Sequence, residues 1–345
     1  MLDKIFTFFV KHRNKKYDFH KKKIFKCSIP VISIGNLSTG GTGKTPVVIF
    51  ICKKLLESGK KPAVIGRGYK RNSSGTVIVS DGKNILVDAK IAGDEMFLIS
   101  QKVKVPVVVS NKKYQAALAA EKLFDIDCIV VDDGFQHRQL HRNYDIVLID
   151  NKTLAKPYLL PKGRLREPFE ALTRANLVCL TKNATEEEFK KIYKNQIPII
   201  KSKFIFGTPY ELFNTNFDDS NSSNKNNNLY IQDNKINGTL NSSGAWRFIA
   251  VAGIANPKNF FDMIIENNLI LATTVIFNDH HNYTINSIHK IAEISAAYNC
   301  TNIAITEKDA VKLIQFKDEI QKHKLLFFVF PVEMILENFE IPDLW

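Results

Sequence analysis

An α/β fold, with a mostly parallel sheet covered by helices on both faces and a smaller C-terminal α/β domain, is predicted by three observations. A short apolar run rich in β-branched residues, Ile29 to Ile34, leads through glycines into "TPVVIFICKKLLESG", whose apolar spacing is helical. Strand-like runs at 62–67, 76–80, 105–110, 126–133 and 144–150 then alternate with helical stretches near 93–103 and 111–124. Strands separated by helices pair in parallel, and ligands gather at their carboxyl ends. After a polar interval, "WRFIAVAGIANPKNFFDMIIENN" reads as strand, turn and helix, and 301–310 and 324–332 read as strands of the second unit. No internal repeat is visible.

The 345 residues can bury a large core. No apolar run approaches the roughly 18 to 20 residues that span a bilayer, and no small-residue cleavage site follows the N-terminus, so the chain is expected to stay in the cytoplasm. Cysteines 27, 52, 128, 179 and 300 lack paired spacing and read as reduced, mostly buried side chains. The net charge is +13, and residues 1–26 hold nine Lys and Arg against Asp3 and Asp18, so +7 of it lies there. With "IFTFFV", Tyr17, Phe19, Ile24 and Phe25 beside those cations, the segment suits an anionic membrane surface; nucleic acid and a merely solvated basic arm are the other readings.

The glycine-rich turn "NLSTGGTGKTPVV" is the strongest local signal. Glycines 40, 41 and 43 let backbone N–H groups converge on an anion at a helix N-terminus. The Ser38-Thr39-Gly40-Gly41-Thr42-Gly43-Lys44-Thr45 stretch is expected to bind nucleotide, with Lys44 on the β- and γ-phosphates and the Thr45 hydroxyl on Mg²⁺. Ser38 stands where the usual pattern has glycine. Pro46 is compatible with the first helical turn. The fold is therefore expected to be of the P-loop NTPase type.

Acidic residues at strand ends come next. "CIVVDDGFQHRQL" ends a buried strand in Asp132 and Asp133, placed to hold Mg²⁺ or its waters. In "AGDEMFLIS", Asp94 and Glu95 open a helix, where carboxylates serve as caps with or without chemistry; Glu95 is a candidate for the metal set. "FNDHHNYT" at 277–284 offers neutral imidazole as a proton acceptor, or a surface loop, or a metal site that no cysteine–histidine spacing supports. In "LLPKGRLREPFEALTRANLV", Arg164 and Arg166 suit a phosphate on a substrate, or Arg166 pairs with Glu167 or Glu170 as a structural link. Residues 214–244 contain ten asparagines and read as a flexible surface insertion.

These motifs, together with "GRGYKR", "VAGIANPKNFF" and "TEKDAVKL", resemble the tetraacyldisaccharide 4′-kinase family, in the family's order over roughly residues 29–313. The resemblance implies a two-domain P-loop kinase that transfers the γ-phosphate of ATP to the 4′-hydroxyl of an acylated glucosamine disaccharide 1-phosphate in lipid A biosynthesis. It implies that Lys44 and Thr45 serve ATP and Mg²⁺, that Asp132 and Asp133 form the acidic strand end, and that Asp94 works with His280 to activate the acceptor. His281 is adjacent, so the choice of imidazole stays open. It also implies a peripheral protein at the cytoplasmic face of the inner membrane, with the lipid and that anionic surface as partners, and neither nucleic acid nor an obligate protein partner. Two departures stand out: the insertion has no counterpart, and the N-terminal apolar segment is expected to be short. The expected domains are 1–26, 27–200, a linker at 201–244, and 245–345. A partitioning or septum-positioning ATPase switch is the alternative from another class, although such proteins have lysine where this chain has Thr39. A soluble sugar or nucleoside kinase would not need the cationic aromatic N-terminus.

Overall fold

The computed structural model describes residues 2–19, 21–207, 209–213 and 246–345. The insertion expected at 214–244 lies outside them. Two compact units divide the chain: Met1–Phe204 with Met334–Trp345, and Ile205–Glu333. Residues 334–345, assigned from sequence to the second unit, thus belong to the first, because the strand that opens this stretch is an edge of the first unit's sheet.

The first unit opens with α1 (Leu2–Asp18), where only a short apolar segment was expected. It lacks Gly and Pro, and Val10, Arg13, Asn14 and Tyr17, spaced i, i+3, i+4 and i+7, share one face. Val10 and Tyr17 are buried there, while Phe8, Phe9 and Phe19 are 66%, 64% and 68% exposed. No described helix is long and apolar enough to cross a membrane. There follow β1 (Val31–Asn36), α2 (Lys44–Glu57), β2 (Pro62–Gly66), β3 (Thr76–Asp81), α3 (Ala89–Ala92), α4 (Asp94–Lys102), β4 (Pro106–Ser110) and α5 (Lys113–Leu123). Then come β5 (Cys128–Asp132), β6 (Tyr144–Asp150), α6 (Asn151–Ala155), β7 (Leu177–Thr181), α7 (Glu186–Ile192) and β8 (Ile199–Phe206).

The second unit continues with β9 (Tyr210–Glu211), β10 (Arg247–Ala252), α8 (Pro257–Glu266), β11 (Ile270–Ile276), α9 (Ile285–Ala297), β12 (Asn302–Thr306), α10 (Glu307–Leu313), α11 (Lys317–Lys322) and β13 (Leu326–Phe330), and the chain leaves it along β14 (Val332–Leu336). The strand expected over 301–310 stops at Thr306, because the Thr306 hydroxyl accepts from Asp309 N–H and caps α10.

The nine-stranded sheet has the order β14-β8-β7-β6-β1-β5-β2-β4-β3. β1 pairs in parallel with β5 and β6, and β3 is antiparallel to β4. β1 is buried along its whole length, as a strand covered on both faces must be. One core holds Ile32, Ile34, Val48 and Ile51; another, including Val31, Ile65 and Ala117, involves α5. The five-stranded sheet has the order β11-β10-β12-β13-β9, parallel apart from the β13–β9 pair. All five cysteines are buried and free.

Candidate active site

The carboxyl end of β1 feeds a loop whose conformation depends on glycine. Gly40 has φ 101° and Gly43, the N-cap of α2, has φ 98°. The positive φ of Gly43 favours glycine, and a Cβ there would come within 2.7 Å of the Met334 methyl and 2.9 Å of the Phe204 ring tip, which would have to shift. Asn36 holds the loop from beneath: its Nδ2 donates to Thr42 Oγ1 at 2.9 Å, and its carbonyl accepts from Gln136 Nε2 at 2.8 Å. Thr181 donates its hydroxyl to the Thr42 carbonyl at 3.0 Å, and Lys182 Nζ donates to the Gly41 carbonyl.

Ser38 and Thr39, grouped from sequence with the nucleotide-binding residues, are tied to protein. Ser38 Oγ is buried 2.8 Å from Thr153 Oγ1. Thr39 N–H donates to the Arg164 carbonyl at 2.8 Å, and Arg164 Nη2 returns a bond of 2.7 Å to the Thr39 carbonyl. Gly40 and Gly41 are exposed, and Thr45 is buried in the first turn of α2.

The acidic end of β5 lies beside this loop because β5 pairs with β1. Asp133 takes a two-bond fork from Arg166, at 3.0 and 2.8 Å, and Lys44 Nζ stands 3.5 Å from the same carboxylate. Burial works against its charge, but Arg166, Lys44 and Lys113 outweigh that and hold it well below the usual carboxylate range. Asp132 differs. The residue is half-buried, yet its Oδ1 is enclosed without a hydrogen-bond partner. Burial, reinforced by the Asp133 and Glu95 carboxylates against Lys44 and Lys113, pushes its pKa up to about 6. Asp94 and Glu95 occupy the first turn of α4, where Gly93, at φ 84°, abuts Gly68.

Arg166 pairs with Asp133 and Asn36 Oδ1. These partners stand in place of the structural link expected from Arg166 to Glu167 or Glu170, and Glu167 goes elsewhere. Its fully buried carboxylate accepts from Arg13 Nη2 at 2.9 Å, from Asn14 Nδ2 at 3.0 Å and from Arg174 Nη2 at 2.5 Å, and so fastens α1 to the core. Arg138 adds bonds to the Asn14 carbonyl at 3.0 Å and to Asp18 at 2.7 Å.

Sequence reasoning missed Lys113, a buried lysine whose Nζ donates to the Asp133 carbonyl and whose pKa burial lowers. It missed Lys182 as well, and it named Glu167 only as a partner for Arg166. Lys113 stands at the start of α5 after a strand, and no local spacing singles it out.

In the second unit, Asp279, His280 and His281 lie between β11 and α9. His281 is held by structure: its ring stacks on Phe277 at 4.5 Å, meets Tyr283 edge-on at 5.0 Å, and its Nε2 is 3.1 Å from Ser287 Oγ. Burial, then Lys312 and Lys290, lower its pKa. His280 adopts φ 58°, with Nε2 3.9 Å from Asp279 Oδ1. The buried Asp309 pins the loop, accepting from Tyr283 Oη at 2.9 Å, Gly253 N at 3.1 Å and Thr306 Oγ1 at 2.7 Å.

A phosphate loop with its lysine facing a carboxylate strand end is common to many nucleotide-binding proteins, so comparison with known proteins decides the family. The family model described as "Tetraacyldisaccharide-1-P 4'-kinase" matches residues 1–342. The chain belongs to this kinase family. It is 33% identical to the tetraacyldisaccharide 4'-kinase of Halothermothrix orenii, over 98% of this chain and 88% of that one. It is 34% identical to the Bdellovibrio bacteriovorus enzyme of the same name, over 88% of this chain and 85% of that one. A crystal structure of LpxK from Aquifex aeolicus in complex with ATP is similar with a TM-score of 0.73 and 27% identity, covering 98% of this chain and 93% of that chain. Membership of a 4'-kinase family makes the chain an enzyme and does not favour the ATPase-switch alternative.

Proposed function

We propose that this 4'-kinase uses ATP and Mg²⁺ to phosphorylate the 4′-hydroxyl of a tetraacylated glucosamine disaccharide 1-phosphate at an anionic membrane surface, the cytoplasmic face of the inner membrane. The observation that carries the chemistry is Lys44, at the start of α2, beside an Asp132/Asp133 pair whose two members have opposite character. The loop's exposed glycines and the α2 N-terminus suit the phosphates, with Lys44 moving from Asp133 to the β- and γ-oxygens. Residues 40–45 make that contact. Ser38 and Thr39 brace the loop, which Arg164 holds from outside.

The donors fit Mg²⁺. Asp132 Oδ1 is an enclosed oxygen without a partner, Thr45 offers a hydroxyl, and Glu95 is close enough to raise the Asp132 pKa. Hard oxygen ligands of this kind beside phosphates are what Mg²⁺ takes. When bound, the ion neutralises charge on the β- and γ-phosphates. Asp133, fixed by Arg166, keeps its negative charge and holds Lys44 in the site before nucleotide arrives. The two arginines read from sequence as substrate ligands thus act through the loop and Asp133, with Arg164 also able to offer a cation to phosphate.

Transfer forms a bond between the acceptor's 4′-oxygen and the γ-phosphorus and breaks the bond from that phosphorus to the β–γ bridging oxygen, releasing ADP. The hydroxyl proton passes to a base. The family resemblance points to His280 as that base, and the packing contacts of His281 favour it over its neighbour. Asp94 as its carboxylate partner rests on the family resemblance, and a double-mutant cycle on kcat tests it.

The exposed part of α1 and its end, with Phe8, Phe9 and Phe19 beside Lys11, Lys15 and Lys16, suits an anionic leaflet where an acylated acceptor resides. ATP consumption with and without the lipid disaccharide tests the whole reading. Acceptor-dependent ADP release that is lost in Lys44→Ala is expected; release independent of the acceptor overturns the kinase assignment.

A further inference from the structure

A second group of ligating side chains stands on the second unit and has no part in the reaction above. α9 contributes His289. α11 contributes Glu319, and its C-cap is His323, spaced i, i+4 from Glu319 so that both project from one face. Glu319 Oε1 lies 3.0 Å from His289 Nε2 and 3.1 Å from His323 Nε2. One ligand atom from each of the three residues lies within 4.8 Å of the other two. The imidazole rings meet at 5.3 Å and 72°, edge to face, so that two ring nitrogens converge on one carboxylate oxygen.

We propose that His289, Glu319 and His323 form a binding site for a divalent transition ion of the zinc type. Two imidazoles and a carboxylate are a ligand set that zinc takes with a fourth position open. With zinc–ligand bonds of about 2.0 to 2.2 Å, neighbouring donors of a tetrahedron stand about 3.4 Å apart, so the two carboxylate–imidazole separations need to open by a few tenths of an ångström, and the imidazole donors, within 4.8 Å of each other, need to close by at most about 1.4 Å. The side chains are 47%, 20% and 30% exposed in the order His289, Glu319, His323, which leaves the fourth position to water.

The backbones that carry these ligands are already fixed. Ile288 and Ile291 of α9 and Ile320 of α11 are buried in one core cluster, so the ligands' spacing is set by packing before any ion arrives. Lys322 Nζ, 3.5 Å from Glu319 Oε1, is a cation in competition; its side chain is 71% exposed, and such surface pairs are worth about 0 to 1 kcal/mol, so an ion displaces it. Imidazole donors also separate this site from the Mg²⁺ set, which is all oxygen. The ion would fasten α11 to α9.

Untagged full-length protein, stripped with a chelator and kept in excess MgCl₂, is titrated with CoCl₂ and then with ZnCl₂. We expect one equivalent of Co²⁺ to give the visible absorption of a tetrahedral site and Zn²⁺ to displace it. His289→Ala and His323→Ala should abolish the signal, Glu319→Gln should weaken binding by at least about tenfold, and Asp132→Asn should leave it intact. ZnCl₂ should raise the melting temperature of the native protein and not that of the histidine variants. The ligands are partly exposed, so the metal-free variants should melt near the native protein, and their far-UV spectra check this. No absorption and no melting shift in the native protein, or an equal response in the histidine variants, overturns the site.

Discussion

Arg166 holds Asp133 through two parallel hydrogen bonds, 3.0 and 2.8 Å long, across 33 positions of sequence. The fork fixes the carboxylate that faces Lys44, and the same guanidinium reaches Asn36 beneath the phosphate loop. Lysine keeps the charge but cannot make the fork. Arg166→Lys should therefore lower kcat by about ten- to a hundredfold through misplacement of these groups, with the melting temperature nearly unchanged. Steady-state kinetics on the lipid acceptor check it, and a native kcat would remove Arg166 from the positioning of the site.

Glu167 joins α1 to the core through Arg13, Asn14 and Arg174. Its removal leaves Arg174, with only 18% of its side chain exposed, without its anion. Glu167→Ala should cost about 3 to 5 kcal/mol, read as an earlier unfolding transition in urea, whereas Arg13→Ala, losing a more exposed partner, should cost less.

His137 is held neutral. Burial, then Lys113, Arg142 and Arg67, lower its pKa to about 4, and its Nε2 is 3.4 Å from the Tyr114 N–H. The unfolded chain takes up this proton near pH 6.5 and the folded chain only near pH 4. Stability from this group is thus complete above pH 6.5 and lost as pH falls toward 4. His137→Gln should flatten that fall by roughly 1 to 3 kcal/mol, measured as the difference between native and variant melts across the window.

His280 and His281 should separate by phenotype. His280→Ala should lower kcat by about 10² to 10⁴ with ATP affinity nearly intact. His281→Ala loses its contacts with Phe277, Tyr283 and Ser287 and should lower the melting temperature first. The reverse pattern would move the base to His281.

Because α1 is fastened through Glu167, deleting it would disturb the core, and point variants are the cleaner probe of membrane contact. Phe8→Ser with Phe9→Ser should reduce binding to anionic vesicles and activity on vesicle-borne acceptor, and spare activity on detergent-dispersed acceptor. Binding should also weaken with salt, since attraction between the helix cations and the leaflet fades within a Debye length. Equal vesicle binding by native and variant protein would return this face to a solvated role.

The phosphate loop, the paired carboxylates after β5 and the alternation of strands and helices were legible in sequence, because each depends on neighbours in the chain. A glycine run permits the loop, β-branched runs make buried strands, and a carboxylate that ends a parallel strand must lie at the ligand-binding edge. Tertiary structure decided the rest. Arg166 had Glu167 and Glu170 within reach in sequence, yet the register of β1 with β5 brings it Asp133 instead, and Glu167 is left to capture α1. Lys113 and the His289–Glu319–His323 group are assembled from segments whose local sequence does not mention one another. Periodicity and turn chemistry act over a few residues, whereas the partner of a long charged side chain is chosen by whichever groups packing delivers within about 3 Å.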